Sequence, residues 1–222
     1  MENYIEDLEN FKPGITLKRI FLTIEKNRKH ISLVRKNCFK AGIPINGILH
    51  DLSKWSPVEF FGTAKYFSHK EFSPGITEEY FNNGYSKVSA HHVKVNKHHY
   101  EYWYDEKLDI IHEIPYKYIV EMICDKLAAS KGYYENKANN KEEWTPKIEY
   151  EYWNKEALKS GERKKLCLTA ELMISKVFEE MANSENGMEL LNEKYLKQVY
   201  NDVKKTVSKR KITLTKKVYG KA

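Results

Sequence analysis

The sequence predicts an all-α fold, and three observations carry that prediction. Apolar residues recur at helical spacing through long segments. Pro, Gly and Ser or Thr separate those segments at positions where helices start and stop. No stretch alternates apolar and polar residues as a half-buried strand would, and no internal repeat is visible. The 222 residues, 41% hydrophobic and 31% charged, suffice to bury a substantial core, and sixteen Tyr, nine Phe and four Trp argue against disorder.

After a short acidic start, Pro13-Gly14 breaks the chain and Thr16 is placed to cap a long helix running to about Ala41. Its stripe is Ile20, Phe21, Ile24, Ile31, Val34 and Phe39, with His30 close by, and Gly42 followed by Pro44 stops it. The next segment carries His50-Asp51 inside an apolar run and ends at Ser56-Pro57-Val58-Glu59. Ser at N-cap, Pro at N1 and Glu at N3 read as a capping box opening a helix with Phe60, Phe61, Tyr66 and Phe67. Residues 68–84 read as loop and short helix, with a turn at Ser73-Pro74-Gly75. Ser86 to about Tyr104 reads as one helix carrying four of the eight histidines. Pro115 opens a helix from Tyr116 to Ser130, with Ile119, Val120, Ile123 and Leu127 on one face, and Gly132 ends it. Three more helices are expected near 147–159, 163–182 and 188–206. The resulting division is a helical core over 1–131, a surface loop or linker over 132–146, C-terminal helices packing on the core over 147–206, and a basic tail over 207–222.

Cys38, Cys124 and Cys167 stand singly within helical segments, without CxxC spacing, and read as buried free thiols rather than a zinc ribbon or a disulfide framework. No apolar run approaches a membrane span and the N-terminus does not open a signal peptide, so the expectation is a cytoplasmic protein with no membrane partner. The net charge of +7 is local. Eight Lys or Arg and no acidic residue follow Val203, and without them 30 basic residues face 31 acidic ones. Such a tail suits a solvated helix end or a weak, sequence-independent contact with nucleic acid.

The chemistry concentrates in a chain-ordered set of His30, then His50-Asp51, then His91-His92 and His98-His99, then Asp125. Burying the carboxylate of an adjacent His-Asp pair costs several kcal/mol unless something neutralises it, and a divalent ion does so using imidazole nitrogen and carboxylate oxygen together. On a continuous helix His91 and His98 lie two turns apart on one face, as do His92 and His99. Each residue also has a plain alternative. His30 suits a satisfied core histidine, His50-Asp51 a hydrogen-bonded pair, the crowded histidines a partly exposed helix beside Lys94 and Lys97, Asp125 and Lys54 the surface. His69 and His112 read as structural or surface residues, and the aromatics Tyr100, Tyr102, Trp103 and Tyr104 as core. There is no defensible nucleophile triad and no Gly-rich phosphate loop.

This order resembles the HD superfamily of metal-dependent phosphohydrolases over residues 16 to 131. His30-Ile31-Ser32-Leu33-Val34 leading to Ala41-Gly42 looks like that superfamily's first helix, and His50-Asp51-Leu52-Ser53-Lys54 is similar to its HDxGK signature with Ser53 in place of glycine. His98-His99-Tyr100-Glu101-Tyr102-Trp103 looks like the paired-histidine segment of two-metal members, and Cys124-Asp125-Lys126-Leu127-Ala128-Ala129 like the late-helix aspartate motif. More closely still, the HDLSK and NKHHxEYW combination looks like an uncharacterised family of bacteria and phages.

The resemblance implies an HD-domain-like helical bundle with additional C-terminal helices, holding one or two divalent ions (iron, manganese, magnesium, nickel or zinc). His30, His50, Asp51 and Asp125 would bind one ion; His92 with His98 or His99 would bind a second, with Asp51 bridging. Lys54 would meet a phosphate oxygen, and a histidine outside the ligand set, His99, would act as general acid. The implied activity is hydrolysis of a phosphoester in a nucleotide or other small phosphorylated molecule. Two rivals stand beside it: a di-iron oxygenase of the inositol-oxygenase-like type on the same scaffold, and a non-catalytic, metal-stabilised binding module with a basic tail.

Overall fold

The structure, a computed structural model, describes residues 11–67, 79, 83–136 and 142–219, with side chains as far as residue 210. The expected loop and turn around Ser73-Pro74-Gly75, and His69, fall outside the described residues. The fold is all-α: α1 (Leu17–Lys40), α2 (Pro44–Leu49), α3 (Pro57–Lys65), α4 (Lys87–Val95), α5 (Tyr116–Asn136), α6 (Pro146–Lys159), α7 (Leu168–Ala182) and α8 (Glu193–Tyr219). A two-residue antiparallel pair, β1 (Tyr104–Asp105) with β2 (Ile110–Ile111), is an addition to the sequence reading. It is too short to show alternation, and Asp109 at φ 50° makes its turn.

Thr16 caps α1 by accepting from the Arg19 amide, and the chain leaves through Gly42 at φ 77° before Pro44 opens α2. The buried face of α1 keeps Ile31 and Val34 of the expected apolar stripe, with Ile20 and Ile24 half-buried, but not its two phenylalanines. Phe21 is 68% and Phe39 54% exposed, while Thr23, Asn27 and Asn37 are buried beside Ile31, Val34 and Cys38. The polar members are satisfied locally: Asn37 donates to the Cys124 carbonyl of α5, and Thr23 to the Arg19 carbonyl. The helix thus turns a partly polar face inward, and Asn27 on that face lines a cavity.

Two expected boundaries shift. The histidine helix ends at Val95, because the Asn96 side chain donates back to the His92 carbonyl and to Ser53 Oγ. A turn and a 3₁₀ segment, Tyr100–Trp103, follow. Conversely, Gly132 does not end α5, which continues to Asn136. A helical glycine costs only about 1 kcal/mol against alanine, and Tyr134 packing on the core and a Lys29–Glu135 ion pair hold the last turn.

α1 packs on α2 and α5, α3 on α4, α6 and α8 on α7, and α6 and α7 on α5. One hydrophobic cluster runs through them, from Val34 and Cys38 through Ile119, Ile123 and Leu127 to Trp153, Met173, Phe178, Leu196 and Val203. The C-terminal helices therefore share the core of the first half. α8 runs unbroken past the expected end near 206, so the basic residues continue a helix. All three cysteines are buried and free, and His112 is exposed. Among the described residues no helix is long and apolar enough to cross a membrane.

Candidate metal centre

Local chain geometry around the His-Asp pair inverts the usual pattern. Ile48, Leu49 and Leu52 are exposed, whereas His50 and Asp51 are each 1% exposed. The inversion follows from α2 ending at Leu49 and Asp51 taking a left-handed conformation (φ 55°, ψ 27°) before the 3₁₀ turn Leu52–Trp55. A non-glycine residue there is uncommon, and a short polar side chain such as Asp tolerates it best.

That turn aims the two Asp51 oxygens at different imidazoles. Oδ2 lies 3.3 Å from His30 Nε2 and 3.3 Å from His50 Nε2, and Asp125 Oδ1 lies 3.0 Å and 3.7 Å from the same two nitrogens. Oδ1 lies 3.4 Å from His92 Nε2 and 3.4 Å from His98 Nε2. Two donor groups result: His30, His50 and Asp125 on one side, and Asp51, His92, His98 and His99 on the other, the ligand atoms within each lying within 4.8 Å of one another. All six residues expected to hold metal are brought together.

Sequence reasoning missed the carboxylates behind the imidazoles. Glu121 Oε1 accepts from His50 Nδ1 at 3.0 Å, lies 3.3 Å from His98 Nδ1, and its Oε2 accepts from Asn46. Glu59 accepts from His92 Nδ1 at 2.8 Å and from His91 Nδ1 at 2.7 Å. Burial pushes the Glu121 carboxyl up, but hydrogen bonds from His50 and His98 outweigh it and hold it at about 2. Burial likewise opposes ionisation of Glu59, and His92 brings it below the usual carboxylate range. An ionised carboxylate only accepts, so the proton sits on Nδ1, and His50 and His92 turn Nε2 toward Asp51. This arrangement orients metal-ligating histidines generally. Glu59 read as a capping residue; Ser56 does cap α3 through the Glu59 amide, but the Glu59 carboxylate turns inward instead. Glu121 carried one signal: an acid one turn before Asp125 on an otherwise apolar helix face.

Ser53, where the signature has glycine, accepts from Asn96 at 2.7 Å and ties the 3₁₀ turn to the end of α4. The break at Asn96 revises the expected two-turn pairing. His92 comes from α4 but His98 and His99 from the following turn, and His91 faces Glu59 instead.

The donor set fits metal ions. His50 Nε2, both Asp51 oxygens, His98 Nε2 and His99 Nε2 are buried without a hydrogen-bond partner among the described residues. Buried polar atoms are seldom left so, and an unmade hydrogen bond costs roughly 1–3 kcal/mol each. Burial disfavours the Asp51 carboxylate, yet Lys54 and His50 hold its pKa well below the usual range. His99, expected either as the alternative to His98 or as a general acid, lies within the second donor group together with His98. Burial, then His98 and His92, push its pKa well below the usual range, so it offers a lone pair rather than a proton.

Two cavities reach the cluster. One opens to solvent and is bounded by His30, His92 and Lys54, by Lys26, Asn27 and Leu33 of α1, and by Ala128, Ala129, Gly132 and Tyr133 of α5. Lys54 Nζ lies 3.1 Å from Asp51 Oδ2, between the metal centre and this space. The other is lined by His98, His99, Glu101, Asp125, Lys126 and Glu162 among others, Glu162 being supplied by the C-terminal part and paired with Lys126 at 2.5 Å.

No curated protein and no solved structure matches the chain. A family model matches residues 20–174, from the first turn of α1 through every residue of the centre into α7. The match takes in more than half of the sequence, and the chain therefore belongs to that family, described as a family of unknown function (DUF5662).

Proposed function

We propose that the protein is an HD-type metal-dependent phosphohydrolase acting on a small phosphorylated molecule. The observation that carries this reading is Asp51, whose two oxygens face separate groups of imidazole nitrogens beside Lys54, with His30, His92 and Lys54 lining an open cavity. His30, His50 and Asp125 would hold one divalent ion and His92, His98 and His99 a second, with Asp51 between them. Ions bound there supply Lewis acidity, which lowers the pKa of water toward neutrality and screens charge on a phosphoryl group.

The chain's own residues do the rest. Asp51 ties the two groups together, while Glu121 and Glu59 keep the His50 and His92 rings in the tautomer that presents Nε2. Burial opposes the charged form of Lys54, but Asp51 and Asp125 keep its pKa raised, so it offers a fixed cation to a phosphoryl oxygen. The neutral wall of Ala128, Ala129 and Leu33 leaves room for a compact organic group while shedding water. With His99 in the donor set, protonation of the leaving group falls to solvent or to the substrate itself.

The test is elemental analysis of protein purified without chelator, followed by a phosphoester screen with the metal found. Manganese, magnesium, nickel or zinc, with turnover of a phosphoester, supports the reading. Two equivalents of iron and no phosphoester turnover would replace it with the di-iron oxygenase. Protein that takes up no divalent ion would sink both.

A further inference from the structure

The outer side of the His-Asp segment is apolar. Between residues 44 and 64 every exposed residue is apolar, including Ile45 and Leu49 of α2, Leu52 and Trp55 of the 3₁₀ turn, and Val58 and Phe61 of α3. These six follow one another at steps of three or four residues, the spacing that keeps side chains on one side of a helical or 3₁₀ turn. Trp55 stacks on Phe60 at 5.9 Å between ring centroids, and Phe60 meets Phe61 at 5.3 Å, so the aromatics join the 3₁₀ turn to α3. Exposed apolar patches rimmed by polar groups mark contact sites.

The charges around this face are of one sign. Residues 26–65 contain two acidic side chains, Asp51 and Glu59, and both are buried at the metal centre. α2 packs on α1 with Gly47 against the Arg35 backbone, which sets the last turns of α1 beside the apolar residues. There Arg35, Lys36 and Lys40 are exposed and form no ion pair among the described residues. Lys65 stands at the far end, in the last turn of α3. Glu193 reaches Gly42, near Lys40, but is paired with Lys197 at 2.6 Å.

We propose that this face is an interfacial docking surface for an anionic lipid bilayer, its apolar residues entering the headgroup boundary and its basic rim meeting the lipid phosphates. Binding of that kind adds buried apolar area to the attraction between Lys or Arg and anionic headgroups, with Trp favoured at the boundary. A second copy of the chain would set the same basic rim against itself. Nucleic acid would match the charge but leave the leucines and isoleucines in water. The expectation of no membrane partner rested on the lack of a spanning run, which a surface contact does not need. The inference is independent of the phosphohydrolase reading, because no residue of the face is a ligand candidate.

The experiment is sedimentation of the full chain with vesicles of phosphatidylcholine alone and of an equimolar mixture of phosphatidylcholine and phosphatidylglycerol. The thermal midpoint and solution mass of every protein are measured alongside. The wild type is expected to bind the mixed vesicles at least about tenfold more tightly than the neutral ones. Ile45→Ser with Phe61→Ser should weaken binding to the mixed vesicles by about tenfold or more. Lys36→Gln with Lys40→Gln, at exposed helix positions, should remove most of the preference for anionic lipid while keeping the fold. Wild type that stays in the supernatant, or binds both vesicles equally, would overturn the proposal. So would undiminished binding by either folded double variant, which would assign the contact to the basic residues of α8. A wild-type dimer that ignores vesicles and that Ile45→Ser with Phe61→Ser dissociates would overturn it too, assigning the face to a second copy.

Discussion

Replacing Asp51 by Asn tests the two-sided geometry most directly. The change preserves volume and suits the left-handed backbone at φ 55°, since Asn tolerates that region as well as Asp does. It removes the charge that faces the Nε2 atoms of both imidazole groups, leaving one neutral oxygen and an amide nitrogen that cannot ligate. Metal at a hundredfold excess over its Kd stabilises the folded state by about 2.7 kcal/mol. With about 2.1 cal/mol/K of unfolding entropy per residue, a chain of 222 residues unfolds with about 0.47 kcal/mol/K, so that stabilisation raises Tm by about 6 °C. The assay is thermal unfolding of each protein with and without manganese, alongside elemental analysis. Comparing each protein only with itself removes any effect of the substitution on metal-free stability. The wild type should show the rise, and Asp51→Asn should show neither the rise nor two bound equivalents. A variant that binds metal at wild-type stoichiometry with the same rise would refute the bridging role, and with it the argument that the orphaned oxygens mark a metal centre.

Two further outcomes follow from the surroundings of the centre. Glu121→Gln and Glu59→Gln should each weaken metal binding about tenfold to a hundredfold, the usual effect of losing the carboxylate behind a ligating imidazole; competition against a chromogenic chelator measures it, and an unchanged affinity would show that these contacts do not orient the rings. Glu149 governs a pH effect away from the metals. Burial outweighs Lys126 and raises its pKa to about 8, so the folded state keeps a proton that the unfolded chain releases near 4.5. That stabilisation is complete below about 4.5 and is lost as pH rises through about 8, on the order of 5 kcal/mol at 1.36 kcal/mol per unit. Denaturant unfolding of Glu149→Gln should therefore fall less between pH 5 and 9 than that of the wild type, and parallel profiles would contradict the assignment.

The helices and the metal residues were legible for different reasons. Helix ends rest on local chemistry, and Thr16, Pro44, Ser56 and Pro146 all stand where a capping or first-turn residue belongs. The six ligand candidates were legible because His and Asp in an apolar context need a partner, and their order along the chain supplied one. What stayed hidden depends on tertiary surroundings. The inward face of α1 carries Thr23, which donates back to its own helix, and Asn27 and Asn37, whose hydrogen bonds other segments accept, and no periodicity reveals those partners. Glu59 obeys a local rule at its amide and a distant one at its carboxylate. Val95 ends α4 because of an Asn96 side chain whose partner, Ser53, lies 43 residues earlier. Gly132 misled in the opposite direction: its helix-breaking tendency is small against the packing that continues α5.

The costs concentrated at Asp51 bear on whether a metal held there would serve only to hold the fold. The residue is nearly inaccessible and takes an uncommon backbone conformation, with both oxygens lacking a hydrogen bond and exposed leucine and isoleucine as neighbours. Departures from local rules of this kind gather at working sites. A purely structural role gives little reason to accept them, because the chain already closes a continuous core through Trp153, Phe178 and Leu196. Structural metal sites are also typically closed by their ligands, whereas catalytic ones keep a position open. Here His30, His92 and Lys54 line a cavity. Under the proposed reading that opening, with Lys54 beside it, is where an anion would enter, a feature that a site built only to staple helices together does not need.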